Sequence, residues 1–163
     1  MNSYTIRNVV EADLDRCAEI ERLSYPKEEA ATKDKILKRI RTYPQGFLVI
    51  EQDKKILGFI NCGATDQVDL ADEPFKDLVG HDPQGAYGVV FSVVVHPDCQ
   101  GQGLAGRLMA AFVSQMKKMR KKAIYLICKE GLIPFYEKFG FVYLGASGST
   151  HGGARWHEMV CEL

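Results

Sequence analysis

The sequence predicts one α+β domain over residues 1–163, with a mixed sheet of about seven strands and about four helices. A chain of 163 residues suits a single sizeable core. Two apolar segments joined at Gln52–Lys55 are typical of an antiparallel hairpin. A strand, a helix and a second strand follow one another between Tyr87 and Cys128, and such a crossover joins parallel strands. Both strand orientations are therefore expected in the sheet.

The strands are predicted from alternating or continuous apolar residues. Tyr4–Val10 alternates, whereas Tyr87–Val95 is nearly all apolar and β-branched, which is typical of a central strand covered on both faces. The predicted strands are, in order, Tyr4–Val10, Gly46–Glu51, Ile56–Ala64, Tyr87–Val95, Ala123–Cys128, Phe141–Ala146 and Arg155–Glu162.

The helices are predicted where apolar residues recur at helical spacing. The Tyr25-Pro26 step ends the first helix and Pro44 ends the second, because proline cannot continue the hydrogen-bond ladder. The third has an apolar stripe that includes Leu104, Leu108 and Phe112. The predicted helices are Glu11–Leu23, about Glu29–Tyr43, Leu104–Lys122 and Leu132–Phe139.

The segment Thr65–Gly85 is a long polar loop rich in aspartate, with one helical turn expected around Phe75–Val79. Loops of this length in a compact domain are usually functional or mobile. Its acidic residues could steer a cation toward a site, although a solvated loop explains them as well.

Composition excludes several classes of function. Lysine plus arginine equals aspartate plus glutamate at 21 each, so no overall field attracts nucleic acid or an acidic membrane. The five cysteines lack CxxC spacing, which predicts reduced, mostly buried thiols and no metal site. No apolar run reaches membrane-spanning length and no signal-peptide core begins the sequence, so a cytoplasmic location is expected.

A glycine-rich run, Gly101–Gly106, lies between a predicted strand and a predicted helix. Glycines let the backbone approach a ligand, and the positive end of the helix dipole favours an anion by roughly 0.3–1 kcal/mol. Read literally, the run matches the G-x-G-x-x-G dinucleotide motif, but His96–Gln100 separate it from the strand and too little chain follows for a doubly wound sheet. A phosphate cradle is expected, and a tight turn without a ligand stays open.

The segment Gln100–Ala105 also fits the pattern Gln/Arg-x-x-Gly-x-Gly/Ala, and Val93-Val94-Val95-His96-Pro97 precedes it. In both features the chain resembles the GNAT superfamily of N-acetyltransferases. The resemblance implies α/β/α layers, a mostly antiparallel twisted sheet, and acetyl-CoA as cosubstrate with coenzyme A as product. It implies that the coenzyme contacts Val93, Val94, Val95, Gln100, Gly101, Gln102, Gly103, Leu104, Ala105, Gly106 and Tyr136.

Tyr136 lies in a helix-like segment that begins at Pro134 and ends at Gly140. By itself it could be a hydrogen-bonded structural tyrosine. The segment Leu132–Phe139 and the segment Ala18–Arg22 are similar to the serotonin (arylalkylamine) N-acetyltransferase-like group of the superfamily. That resemblance implies direct attack of an amine on the thioester, with Tyr136 as the general acid for the departing thiolate. The alternative mechanism uses Cys128 as a covalent nucleophile. For Cys128 itself, the competing interpretation is a buried structural thiol.

The predicted amine-binding part of the site differs from that of this group. The group carries two histidines on the strand before the glycine-rich run, and the corresponding residues here are Val89 and Phe91. His151, in a glycine-rich segment before the last strand, could bind substrate or move a proton, or could be an exposed loop residue. Glu28 could hold an ammonium, or could be a first-turn acid of a helix. These are the two candidate substrate residues.

The expected substrate is a small primary amine, either an aromatic amine or a polyamine. Neither nucleic acid nor a membrane is expected as a partner. The expected oligomeric state is a monomer or a homodimer. Two alternatives remain. One is an acyl-CoA-binding regulatory module without turnover, which the missing histidine pair favours. The other is a protein N-terminal or lysine acetyltransferase.

Overall fold

A computed structural model describes residues 3–163 and contains one seven-stranded sheet with the strand order β1-β2-β3-β4-β5-β7-β6. The mixed α+β fold expected from the sequence is confirmed. The strands are β1 Thr5–Asn8, β2 Phe47–Gln52, β3 Lys55–Thr65, β4 Tyr87–Val95, β5 Ala123–Cys128, β6 Val142–Ala146 and β7 His157–Glu162.

The strand pairings explain why the sheet is mixed. The pairs β1–β2, β2–β3, β5–β7 and β6–β7 are antiparallel. The pair β4–β5 is parallel, with Tyr87 opposite Ala123 and Val89 opposite Tyr125. In the predicted hairpin between β2 and β3, Asp53 and Lys54 take φ values of 52° and 66°. Positive φ at both central residues is what a tight hairpin turn of this length requires.

Four α-helices are present: α1 Leu14–Ser24, α2 Lys33–Thr42, α3 Leu104–Lys118 and α4 Ile133–Glu137. The expected start of the second helix near Glu29 was wrong, because the Thr32 hydroxyl caps α2 by accepting from the Lys35 N–H at 3.3 Å. The third helix ends before its predicted end at Lys122. Arg120 takes a φ of 61°, and the Lys121 N–H returns to the Met116 carbonyl at 3.0 Å.

The described chain forms two compact units, and the first contains the residues up to Asn61 together with Ser92–Phe112. Its core joins apolar residues of both first helices to those of the strands. Ring centroids of Phe47 and Phe59 lie 5.3 Å apart in this core. Each fully buried large side chain contributes roughly 1.5–3 kcal/mol. The core members are Val9, Cys17, Ile20, Ile36, Ile40, Phe47, Val49, Ile56, Phe59 and Val94.

The second unit contains Cys62–Phe91 and Val113–Leu163, and it holds the long loop that follows β3. The buried Lys121 Nζ donates to the Pro83 and Gly85 carbonyls at 2.7 and 2.6 Å. The Ala64 N–H donates to His81 Nδ1 at 3.0 Å. Burial lowers the pKa of His81. The expected helical turn is a 3-10 turn over Glu73–Asp77, and the loop is therefore attached to the strand it leaves.

All five cysteines are free, and Cys17, Cys62, Cys128 and Cys161 are buried, in agreement with the prediction of reduced thiols. Over residues 3–163, none of the helices is long and apolar enough to cross a membrane.

Candidate active site

The glycine cradle, defined as Gly101–Gly106, connects the end of β4 to the start of α3 in the first unit. A 3-10 turn over Pro97–Cys99 leads into it, closed by the Cys99 N–H donating to the His96 carbonyl at 2.8 Å. Gly101 and Gly103 have φ values of 78° and 77°. A Cβ at either position would meet nothing within 4 Å, so backbone conformation, not space, requires glycine there.

The backbone N–H groups of the cradle are candidate donors for a ligand. Among residues 3–163, the N–H groups of residues 101–106 donate to no other protein group. Leu104 begins α3, so several of these groups belong to the first turn of a 15-residue helix. Unpaired N–H groups at a helix N-terminus form an anion site, and the helix dipole adds to it. This geometry fits the pyrophosphate expected there.

Tyr4, which precedes β1, contacts the cradle and the residue that follows it. The Tyr4 hydroxyl donates to Gln102 Oε1 at 3.1 Å, and the Arg107 guanidinium lies 5.1 Å from the Tyr4 ring centroid. Gln100 Nε2 donates to the Val95 carbonyl at 3.3 Å. Gln100 thus ties the loop to the strand, and Arg107 adds positive charge beside the cradle.

The segment Val93–Val95 ends β4. The Tyr25 hydroxyl donates to the Val93 carbonyl at 3.1 Å, and Ser24 Oγ donates to the Val95 carbonyl at 3.3 Å. Residues at the end of α1 therefore already hydrogen-bond this strand edge. A pantetheine arm that paired with this edge as an added strand could use the second lone pair of the Val93 carbonyl, whereas the Val95 carbonyl already accepts from both Ser24 and Gln100.

Tyr136 lies on α4 in the second unit and is only 7% exposed. Its ring packs edge-on against Phe135 and Phe141, with centroids 5.1 and 5.7 Å away. Burial, with a smaller contribution from Cys128, raises the pKa of Tyr136. The phenol is therefore protonated at neutral pH and has a proton to donate.

Cys128 ends β5 in the second unit and is 2% exposed. Its Sγ lies 3.8 Å from the Met159 Sδ. Burial raises the pKa of Cys128 to about 11. The reactive form of cysteine is the thiolate, so this thiol has the character of a structural residue rather than of a nucleophile.

The two candidate substrate residues lie in different surroundings. Glu28 is exposed in the first unit, in the turn between α1 and α2, and its neighbour Glu29 is the buried one at 9% exposure. His151, in the second unit, is paired: its Nδ1 lies 2.5 Å from Glu73 Oε1. Glu73 was not foreseen, because no sequence signal connects residues 78 positions apart.

A small pocket in the second unit, here called the Val89 pocket, has both apolar and charged walls. It is lined by Val89, Val90 and Phe91 of β4, by Ile127 of β5, and by loop residues Asp69, Leu70, Asp72, Phe75 and Lys76. Val89 and Phe91, the positions at which the sequence resemblance implied histidines in related enzymes, are thus pocket walls. Asn61, in the first unit, is a further buried polar residue that the sequence analysis did not predict. It is 1% exposed, and its side-chain nitrogen and oxygen have no hydrogen-bond partner among residues 3–163.

Comparison with known proteins places these features in a family. Residues 13–141 match the family model described as Acetyltransferase (GNAT) family. The chain is 27% identical over 113 residues to the serotonin N-acetyltransferase of Mesocricetus auratus, which covers 69% of this chain and 53% of that protein. The chain thus spans about half the length of that relative.

Solved structures with the same fold cover nearly the whole chain. The loading GNATL domain of CurA from Lyngbya majuscula is similar with a TM-score of 0.88 at 18% identity, covering 99% of this chain and 98% of that one. The paia N-acetyltransferase from Thermoplasma acidophilum, in complex with coenzyme A, has a TM-score of 0.74 at 19% identity and 99% coverage of both chains. Identities this low show the fold alone. Because the family match spans most of the sequence and includes both the glycine cradle and Tyr136, the chain belongs to the acetyltransferase (GNAT) family.

Proposed function

We propose that this chain transfers the acetyl group of acetyl-CoA to a small primary amine by direct attack of the amine. The observation that carries the proposal is the glycine cradle at the start of α3, where the N–H groups of Gly101–Gly106 donate to no other group within residues 3–163. Such a donor set suits a pyrophosphate. Family membership makes acetyl-CoA the acetyl donor.

In this proposal the first unit binds and positions the donor. The N–H groups of Gly101–Gly106 hold the pyrophosphate, and Val93 and Val95 hydrogen-bond the pantetheine arm. A backbone N–H of the strand end donates to the acyl oxygen, where negative charge develops during acyl transfer. Bound acetyl-CoA supplies an acetyl thioester, and coenzyme A leaves as the thiol.

Tyr136 holds a proton at its hydroxyl oxygen and gives it to the departing sulfur. Burial raises the pKa of Tyr136, so the phenol carries its proton throughout the neutral range. General acid catalysis of this kind typically increases the reaction rate about 10²–10⁴-fold. The buried, weakly acidic Cys128 supports direct attack over a covalent acetyl-enzyme.

The amine class is the finer part of the proposal. The similarity to the serotonin N-acetyltransferase of Mesocricetus auratus supports a small amine. Glu28, exposed in the turn after α1, stays a prediction for ammonium recognition.

The proposal is tested by coenzyme A calorimetry combined with a thiol-release assay on four acceptors: 2-phenylethylamine, spermidine, a peptide with a free N-terminus and a peptide with an internal lysine. Release with 2-phenylethylamine or spermidine is the expected result. Release with the peptides alone would make the chain a protein acetyltransferase. Coenzyme A binding without release from any acceptor would make it a binding module.

A further inference from the structure

His96 lies between the end of β4 and the 3-10 turn that leads into the glycine cradle, and all of these belong to the first unit. Three of its groups make hydrogen bonds. Its backbone N–H donates to the Leu57 carbonyl of β3 at 2.7 Å, and its carbonyl accepts from the Cys99 N–H at 2.8 Å. Its imidazole Nδ1 accepts from the Asp98 N–H at 3.1 Å. One residue thus joins the strand, the neighbouring strand and the turn.

The bond from Asp98 fixes the tautomer of the neutral imidazole. A backbone N–H can only donate, so Nδ1 carries a lone pair and the ring proton lies on Nε2. His96 is therefore the N-cap of the turn. The usual capping residues are serine, threonine, asparagine and aspartate, which keep an acceptor oxygen at neutral pH. A histidine cap differs from them, because it loses its acceptor when the ring takes a proton.

The ring of His96 is enclosed although the turn itself is at the surface. The side chain of His96 is 13% exposed, and α1 packs against the turn. Glu19 of α1 lies within electrostatic range of the ring. The Arg16 guanidinium holds the pKa of the Glu19 carboxyl below its ordinary value, and the charge of His96 contributes weakly in the same direction. Packing against α1 keeps the imidazole beside the Asp98 N–H.

The capped turn sets the direction in which the glycine cradle begins. Pro97 has no N–H, so the Asp98 N–H is the first backbone donor that the turn presents. Gln100 alone separates the turn from Gly101, and its side chain donates to the Val95 carbonyl at 3.3 Å. With one residue between them, the conformation of the turn constrains the directions of the first cradle N–H groups.

We infer that His96 is a positioning residue of the coenzyme site. The neutral imidazole caps the turn and holds the glycine cradle in the conformation that binds the pyrophosphate, and protonation of the ring releases the cap and weakens coenzyme binding. The inference rests on the proposed function, because it requires the cradle to bind the pyrophosphate.

Protonation of His96 has two effects of opposite sign. It removes the acceptor for the Asp98 N–H, but it also places a positive charge near an anion site. The Asp98 carboxylate, whose Oδ2 is 3.9 Å from Nδ1, can pair with the imidazolium and offset this charge. The other charged groups near the ring are Glu19, Arg16 and Arg22 on α1 and Lys55 at the start of β3. We therefore expect the lost cap to decide the sign, so that acid weakens binding.

The test is calorimetry of coenzyme A binding at pH 7.5 and pH 5.5 for wild type, His96→Ala and His96→Asn. These pH values lie on either side of the range in which histidines ordinarily titrate. Alanine has no acceptor, whereas asparagine can present an oxygen to the Asp98 N–H and does not titrate. At pH 7.5, His96→Ala should bind about three- to fivefold more weakly than wild type, and His96→Asn should recover most of that loss.

The pH dependence separates positioning by a titrating cap from simple packing of the ring. Acidification should weaken binding to wild type about three- to fivefold more than binding to His96→Asn. Phosphate groups of the ligand also titrate near pH 6, and the comparison between the two proteins removes this shared effect. His157→Asn is the matched control in the second unit, where Nδ1 pairs with the Tyr143 hydroxyl at 2.9 Å, and it should keep the wild-type pH dependence.

Thermal unfolding verifies that each variant folds, and the imidazole ¹⁵N chemical shifts of wild type provide a measurement that needs no variant. They should identify Nδ1 of His96 as the unprotonated nitrogen of the neutral ring, and a proton on Nδ1 would contradict the cap. If His96→Asn keeps the wild-type pH dependence, the positioning role is wrong and the proposed function stands. If wild type binds no coenzyme A, both fail.

Discussion

The glycine cradle in the first unit and the tyrosine and histidine groups in the second unit are built in different ways. The cradle consists of backbone N–H groups from six consecutive residues, set by two left-handed glycines and a helix start. The groups of the second unit are side chains: the buried Tyr136, whose pKa is raised, and His151, which is hydrogen-bonded to Glu73. The first arrangement suits binding, and the second suits proton transfer.

This difference implies that binding and chemistry can be lost separately. A change in the cradle should raise the dissociation constant of coenzyme A, whereas a change at a buried hydroxyl should lower turnover. The following variants are arranged from the largest expected effect to the smallest.

Tyr136→Phe should lower kcat about 10²-fold, because it removes the proposed proton donor for the departing sulfur while keeping the ring that packs against Phe135 and Phe141. The affinity for coenzyme A, measured by calorimetry, should change little. Tyr143→Phe, at an exposed tyrosine of β6, is the matched control. Wild-type turnover in Tyr136→Phe would remove Tyr136 from the mechanism.

Gly103→Val should weaken coenzyme A binding about 10- to 100-fold, because a β-branched residue at a φ of 77° costs about 1–3 kcal/mol of strain or forces the loop to move. The effect is read by calorimetry. Gly131→Val is a suitable control, since Gly131 is exposed, has no contact within 4 Å of an added Cβ and shows no left-handed φ. Equal affinities of the two variants would contradict a role for the cradle conformation.

His81 gives a pH-dependent test of the long loop. Burial lowers its pKa from the ordinary 6.5, so the unfolded chain binds the proton more readily than the folded one. The free energy of unfolding should therefore fall as pH drops below about 6.5. Urea unfolding at pH 7 and pH 5 should show that the free energy of unfolding falls less in His81→Gln than in wild type. An identical loss in both would assign the acid sensitivity to other groups.

Cys128→Ala should change kcat less than about twofold, because a buried thiol with a pKa of about 11 is a poor nucleophile. A modest loss of stability is expected from the small cavity beside Met159. The thiol-release assay measures the first quantity and thermal unfolding the second. Near-complete loss of activity in a folded variant would revive a covalent mechanism.

The same contrast explains how much could be predicted from the sequence. The seven strands, the four helices and the glycine-rich loop follow from patterns a few residues long, and their types were predicted correctly. The start of α2 was predicted wrongly, because Thr32 caps the helix and residues near Glu29 lie before it. The pair of His151 with Glu73 could not be foreseen, since the tertiary fold brings these two residues together.

The hydroxyls of Ser24 and Tyr25 have a thermodynamic consequence for the end of β4. They satisfy the carbonyls of Val95 and Val93 before any ligand arrives, much as water would. An incoming pantetheine amide that displaces a hydroxyl gains only the difference between two hydrogen bonds, which is about 1 kcal/mol or less. In the proposed complex the arm would therefore be held chiefly by its fit and by the anion site, and the strand edge would control the alignment of the thioester more than the affinity for it.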